Sequence, residues 1–228
     1  MDNTLSLLEF DDVFLDGLSF CSKAYHLFEQ IRESEGGRER LRMRSSNLEK
    51  KLLEELLPIC KYVQSKYRAG RYIRVRWLNG CQQFDAELIQ VGSYVDQGYF
   101  PDKAYIEVTC VMHQNEYLSR ELMNTVGFAF GLEGIKRESD RTISSKAVGY
   151  TNLEFIESYS RLIVDRILKK SKIRYPANTS LIIQCSLNTI YSLGEWESLI
   201  TFVRNSIPSH KFWEIFIYDV VGEHSANI

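Results

Sequence analysis

Tyr72-Ile73-Arg74-Val75-Arg76-Trp77-Leu78-Asn79-Gly80-Cys81-Gln82-Gln83-Phe84-Asp85-Ala86-Glu87-Leu88-Ile89-Gln90-Val91 is the stretch on which the fold turns. From Tyr72 to Leu78, apolar and polar side chains alternate and β-branched and aromatic types dominate, the pattern of a half-buried strand. Asn79-Gly80 offers the positive φ angles of a tight hairpin turn, so residues 81–91 are expected to return as a second strand. The run from Gly92 to Tyr99 reads as a loop, and residues 103–112 as a third strand. The expectation is a three-strand meander.

Working outward, residues 46–67 form a long amphipathic helix. Leu48, Leu52, Leu53, Leu56, Ile59, Cys60, Val63 and Tyr67 make its apolar stripe. Pro58 predicts a kink or a short first segment, and Ala69-Gly70 ends the helix. Before it, residues 1–35 look helical, with Leu15, Leu18, Tyr25, Phe28 and Ile31 at helical spacing, Asp16-Gly17 as a break and Glu35-Gly36-Gly37-Arg38 as a loop. After the meander come a helix over 115–130, a polar and mobile loop over 133–149, and a helix over 153–172. A buried strand over 180–186, a helix over 190–204 and a last strand over 212–220 follow. The sequence therefore predicts an α/β protein, a mixed central sheet flanked by helices. Residues 1–45 are expected as a helical N-terminal extension, and 46–228 as the α/β core with a C-terminal helix and strand added.

The chain has 228 residues and a formal net charge of −2, so no global basic signature marks a nucleic-acid binder. Charge is nevertheless segregated. Asp2, Glu9, Asp11, Asp12 and Asp16 make the start acidic. Lys61, Lys66, Arg68, Arg71, Arg74 and Arg76 form one basic run, and Arg166, Lys169, Lys170, Lys172 and Arg174 another. Each run is either a phosphate-binding stripe or a solvated face. No apolar run reaches the roughly 20 residues that span a bilayer, so no membrane association is expected. The start, Met1-Asp2-Asn3-Thr4, lacks the basic region of a secretory signal, and a cytoplasmic location is the expectation. Cys21, Cys60, Cys81, Cys110 and Cys185 are odd in number and lack a C-x-x-C pair, which argues for reduced, mostly buried thiols rather than zinc or disulfides. Trp77, Trp196 and Trp213 read as core. No phosphate-binding glycine loop, nucleophile elbow or zinc helix is present.

Two acids interrupt the apolar strand runs: Asp85 before Ala86-Glu87-Leu88, and Glu107 in Tyr105-Ile106-Glu107-Val108-Thr109. A carboxylate in such a place costs free energy unless a cation, a metal ion or a set of hydrogen bonds satisfies it. Side chains alternate along a strand, so Gln83, Asp85 and Glu87 share one face, and Tyr105, Glu107 and Thr109 share another. If the strands pair, Asp85 and Glu107 converge and can hold Mg²⁺ or Mn²⁺ with retained waters. The alternative is a pair of salt-bridged acids, with Arg74 or Arg76 as partner.

The element order, with Asp85 on the second strand and Glu107-x-Thr109 on the third, resembles the PD-(D/E)XK nuclease superfamily over residues 46–186. The resemblance implies a restriction-endonuclease-like fold with an α-βββ-α-β core. It implies a Mg²⁺-dependent endodeoxyribonuclease in which Asp85 and Glu107 bind the metal. Thr109 stands where that family usually carries a catalytic lysine. Threonine offers a hydrogen bond but no charge; Lys61, Lys103 and Lys172 are candidate substitutes. Family members often add an acid from the first core helix. Glu49 falls in the middle of the apolar stripe and Glu54 and Glu55 fall outside it, so Glu49 is the candidate third ligand; equally, Ser46-Asn47-Leu48-Glu49 fits a capping box. Gln83 and Thr109 would orient the nucleophile. Lys66, Arg68, Arg71, Arg74, His113 and Arg120 would contact DNA, although Arg120 can instead pair with Glu116. A homodimer would suit double-strand cutting. Two rivals stand beside the nuclease: a catalytically inactive nuclease-fold module binding nucleic acid or protein, and an interaction factor whose acidic N-terminal segment engages a protein partner.

Overall fold

The computed structural model describes residues 6–187, 192–221 and 224–228. The chain enters through a short strand β1 (Phe14–Asp16) and turns into α1 (Gly17–Glu33). The expected break at Asp16-Gly17 is the start of α1, because the Asp16 carboxylate accepts from the Leu18 and Ser19 N–H groups as an N-cap. Gly17 is required there: a Cβ would lie 2.8 Å from the Ile73 carbonyl oxygen and 2.8 Å from a Val63 methyl. The buried face of α1 is Phe20, Cys21, Ala24, Leu27 and Ile31, whereas Leu18 and Tyr25 of the expected stripe are exposed.

Next come α2 (Gly37–Met43), α3 (Asn47–Lys51), a π-helical turn (Leu52–Leu56) and α4 (Leu57–Lys66). Pro58 sits at the start of α4, where its missing N–H costs least. Strands β2 (Tyr72–Trp77) and β3 (Ala86–Val91) pair antiparallel, from Tyr72↔Val91 to Trp77↔Ala86. Their connection is longer than the sequence predicts. Gly80 does not adopt a positive φ, and residues 78–85 form an open loop. Gln83 thus lies on that loop, exposed, rather than on a strand face.

The short α5 (Ser93–Asp96) leads to β4 (Lys103–Val111), which is followed by α6 (Glu116–Thr125). The stretch expected as a mobile loop holds a small antiparallel pair, β5 (Ile135–Arg137) and β6 (Ile143–Ser145), with Ile135 buried against Leu122 and Leu132. Then come α7 (Asn152–Ser171), β7 (Thr179–Cys185), α8 (Leu193–Ser206), β8 (Ile215–Asp219) and β9 (Ser225–Asn227). The predicted start of the last helix, at Ile190, lies outside the described residues, as do Asp2 and the rest of residues 1–5.

The main sheet has seven strands in the order β1-β2-β3-β4-β7-β8-β9, parallel at β4–β7 and β7–β8 and antiparallel elsewhere. Period-two alternation divides it between two cores. Ile182, Phe216 and Tyr218 face α1 and α4, while Leu181, Ile183, Ile215 and Ile217 face α7 and α8. The protein is a mixed α/β sheet covered by helices on both faces. Residues 10–41 contribute Phe10, Phe20, Leu27, Ile31 and Leu41 to the first of these cores, and β1 pairs with β2, so the N-terminal segment is built into the sheet. All five cysteines are free; Cys21, Cys60 and Cys185 are buried, but Cys81 is exposed. Among the described residues no helix is long and apolar enough to cross a membrane.

Candidate active site

The candidate site lies where β3 leaves the sheet. β3 pairs with β4 only from Lys103 to Ile106, whereas β7 pairs with β4 from Tyr105 to Val111. From Glu107 onward, the β3 side of β4 is therefore uncovered. Carrying the register one residue past Ala86↔Ile106 sets Asp85 opposite Glu107. The Asp85 N–H donates to the Ile106 carbonyl at 2.8 Å, one residue out of step with the regular ladder. Its Oδ2 accepts from the Val108 N–H at 2.7 Å, capping a donor that the missing strand leaves free.

Both carboxyls pay an electrostatic penalty. Burial, then the charges of Glu107 and Glu55, push Asp85 up to about 7. Burial also raises Glu107; Lys170 opposes that shift and Glu55 adds to it. Glu107 is buried and its Oε1 accepts from the Lys170 ammonium. Lys170 stands in the last turn of α7, and that helix returns along the sheet so that its C-terminal end meets β4 near Glu107. Tyr175, just past α7, has a buried hydroxyl near Glu107 that makes no well-formed hydrogen bond among the described residues; burial and the nearby charges of Glu107 and Asp85 raise its pKa. Thr109 shares the Glu107 face of β4 and is buried.

The helix acid that acts on the pair is Glu55, not Glu49. Glu55 is held from both sides, by Lys51 at 2.6 Å and by the Trp77 indole N–H at 2.9 Å. Glu49 faces inward, as the periodicity indicates, but toward α2. It closes the capping box with Ser46 and accepts from Arg40 Nε at 2.9 Å. Burial works against its charge, yet the Ser46 and Arg40 hydrogen bonds leave its pKa lowered. Six residues of helix separate Glu49 from Glu55, about 9 Å along the axis. That offset leaves Glu49 short of the strands.

The expected DNA stripe is engaged within the chain. Lys66 bonds Glu214 at 2.6 Å and Asn227 at 2.8 Å. Arg71 is buried, donates to Gln90 and lies 3.7 Å from the centre of the Phe100 ring, which Arg68 also approaches. Arg74 leans on Phe14. Arg76 pairs with Asp12 and Glu87, so neither Arg74 nor Arg76 is the partner of Glu107. His113 accepts from the Asn115 N–H, and Arg120 is tucked against Glu116 and Met112. The acidic start is engaged too: Glu9 pairs with Lys23, Asp11 accepts from the Asn79 N–H, and Asp12 pairs with Arg76. Among the described residues none of Lys61, Lys103 and Lys172 bonds Asp85 or Glu107: Lys103 pairs with Glu87 and Lys172 lines a cleft beside the site, whereas the lysine that bonds an acid of the pair is Lys170, which the sequence pattern does not single out.

That cleft, ≈ 770 Å³, opens beside the pair between residues 171–178 and 211–213. Trp77 and Trp196 are core as expected, but Trp213 is 50% exposed at the cleft.

Among the described residues, no three His, Cys, Asp or Glu side chains converge into a preformed metal cage. Asp85 and Glu107 form a two-carboxylate oxygen set, which fits Mg²⁺ or Mn²⁺ because those ions keep several waters. Two repelling carboxyls with raised pKa values favour a bound cation on electrostatic grounds. Comparison with protein-family models, with curated proteins and with solved structures finds no match.

Proposed function

We propose that the protein is a metal-dependent nuclease of the PD-(D/E)XK type that hydrolyses phosphodiester bonds in DNA. The observation that supports this reading most is the meeting of Asp85, Glu107 and Lys170 at the point where β3 diverges from β4. Asp85 and Glu107 would hold Mg²⁺ or Mn²⁺. The bound ion would supply a hydroxide nucleophile and charge neutralisation at phosphorus. Lys170 would take the role that Thr109 cannot: its ammonium, bonded to Glu107, would offer a cation to an attacking water or a phosphoryl oxygen. Thr109 offers a hydroxyl on the same strand face. Tyr175 has its phenol beside Glu107 and would be suited to donate to a phosphate oxygen.

Mn²⁺ binding by calorimetry and DNA cleavage in Mn²⁺ test the reading together. Binding and cleavage should both vanish in Asp85→Ala and Glu107→Ala. Lys170→Met should lower cleavage by about 10²-fold or more and leave Mn²⁺ bound. A chain that binds no Mn²⁺ has no such metal site. A chain that binds Mn²⁺ but leaves every form of DNA intact is a nuclease-fold binding module instead.

A further inference from the structure

The cleft beside the acid pair has a composition that the proposed chemistry alone does not require. Its wall carries Lys172, Arg174 and Lys211, with no carboxylate among the lining residues. All three cations are exposed, and none makes an ion pair among the described residues. This sets them apart from Lys66 and Arg76, whose charges are paired with carboxylates within the chain. Three unneutralised cations around one concavity raise the local concentration of a polyanion.

Trp213 stands in the same cleft, half exposed, just before β8. Its backbone is fixed, since its N–H donates to the Thr179 carbonyl at 2.8 Å. Phe212 beneath it is buried and packs on Tyr175 with ring centroids 5.3 Å apart. An exposed indole on an anchored backbone, with cations around it, has the two elements of single-strand recognition: a stacking platform for a base and a charged track for phosphates. Duplex DNA offers no free base face to such a platform, and a cleft of ≈ 770 Å³ admits a nucleotide or two but not a double helix.

The cleft adjoins the candidate site through Ser171 and Tyr175. Ser171, at its edge, follows Lys170 directly, and Tyr175 both lines the cleft and directs its hydroxyl toward Glu107. We infer that this cleft binds unpaired, single-stranded DNA, with a base stacked on Trp213 and phosphates on Lys172, Arg174 and Lys211, and leads the strand to the Asp85–Glu107 pair. The inference rests on the nuclease reading for its direction toward the acids, and on the cleft alone for its ligand.

The test uses the full chain in EDTA, so that no cleavage can occur, with an end-labelled oligothymidylate and a blunt duplex of equal length. Fluorescence anisotropy should give single-strand binding at least tenfold tighter than duplex binding. Trp213 is the exposed one of the three tryptophans, so oligothymidylate should quench intrinsic fluorescence in the parent chain but not in Trp213→Phe. Trp213→Ala should weaken binding by about tenfold or more, and Trp213→Phe should recover part of it. Arg174→Ala and Lys172→Ala should each lower the salt slope of log K by about 0.7. Equal or tighter duplex binding overturns the inference, as does unchanged affinity in Trp213→Ala with its circular dichroism intact. Cleavage of duplex DNA without single-strand binding would remove the cleft proposal and spare the nuclease. Single-strand binding at Trp213 without Mn²⁺-dependent cleavage would do the reverse.

Discussion

Asp85 is a carboxyl whose ionisation should be visible in the stability of the whole chain. Its ordinary pKa of 3.8 is raised to about 7 by burial and by the charges of Glu107 and Glu55. Between those values the folded chain holds the proton and the unfolded chain has released it. The contribution of Asp85 to stability is therefore greatest at acid pH, falls as pH rises from about 4 to about 7, and then levels; the full effect is about 4 kcal/mol at most. Glu107, also raised, adds in the same direction. Urea denaturation across this range should show the fall in the parent chain and a much flatter profile in Asp85→Asn, which keeps an acceptor for the Val108 N–H. A slope that persists unchanged in Asp85→Asn would place its origin elsewhere. A divalent ion must displace the same proton, so Mn²⁺ affinity should rise with pH toward 7 and then plateau. Much of this was legible in the sequence, because two acids in apolar strand runs demand an explanation. Lys170 was not, because one lysine among Lys169, Lys170 and Lys172 carries no local mark of the direction it faces. Only the packing of α7 on β4 selects it.

At the scale of elements, the helical segment before the meander shows where periodicity fails. A single 3.6-residue phase carried along 46–67 assigns Glu49 to the sheet and Glu55 to solvent. The π turn at Leu52–Leu56 resets that phase, because i→i+5 bonding turns each residue through less than the roughly 100° of an α-helix. Glu55 then reaches Trp77, while Glu49, one segment earlier, joins α3 to α2 through Arg40. Glu49 thus belongs to the architecture of the helix start. Glu49→Ala should cost about 2–4 kcal/mol, since it leaves Arg40 and the Ser46 N–H without their partner at a fully buried position. Its Mn²⁺ affinity should match the parent chain within about twofold, and a large loss of Mn²⁺ binding in a folded Glu49→Ala chain would restore Glu49 to the metal site. Short elements escaped the sequence for a related reason. β1, β5, β6 and β9 span three residues each, too few for alternation to register; β1 and β9 are strands because longer β2 and β8 pair with them, and β5 and β6 because they pair with each other. Asn79-Gly80 erred in the opposite way. The dipeptide suits a two-residue turn, but Asp85 and the Trp77↔Ala86 register hold the strands further back, and the intervening residues stay open.

The whole molecule is built on a seven-stranded sheet with a core on each face, and its N-terminal segment is what closes one of them. β1 covers the outer edge of β2, and α1 packs beside α4 over the sheet that carries Glu107 and, just before β3, Asp85. A chain beginning at Ser46 would lose Phe10, Phe20, Ala24, Leu27, Ile31 and Leu41 from that core and expose β2 as a free edge. Truncating a single buried Phe or Leu to Ala costs about 2–5 kcal/mol, and an entire domain is stable by about 5–15 kcal/mol. Removing several such residues at once exceeds that margin, so the shortened chain should show no cooperative urea transition and should aggregate through the open edge. A cooperative transition from residues 46–228 alone would mean that the N-terminal segment is an appendage to a self-sufficient core. The same deletion separates fold from site. Asp85, Glu107 and Lys170 all lie beyond residue 46, so their convergence depends on the N-terminal segment only through the sheet it stabilises. Adding residues 1–45 back as a separate peptide should therefore restore the urea transition and Mn²⁺ binding together, because the register that sets Asp85 opposite Glu107 exists only once β2 and β3 are held in the sheet.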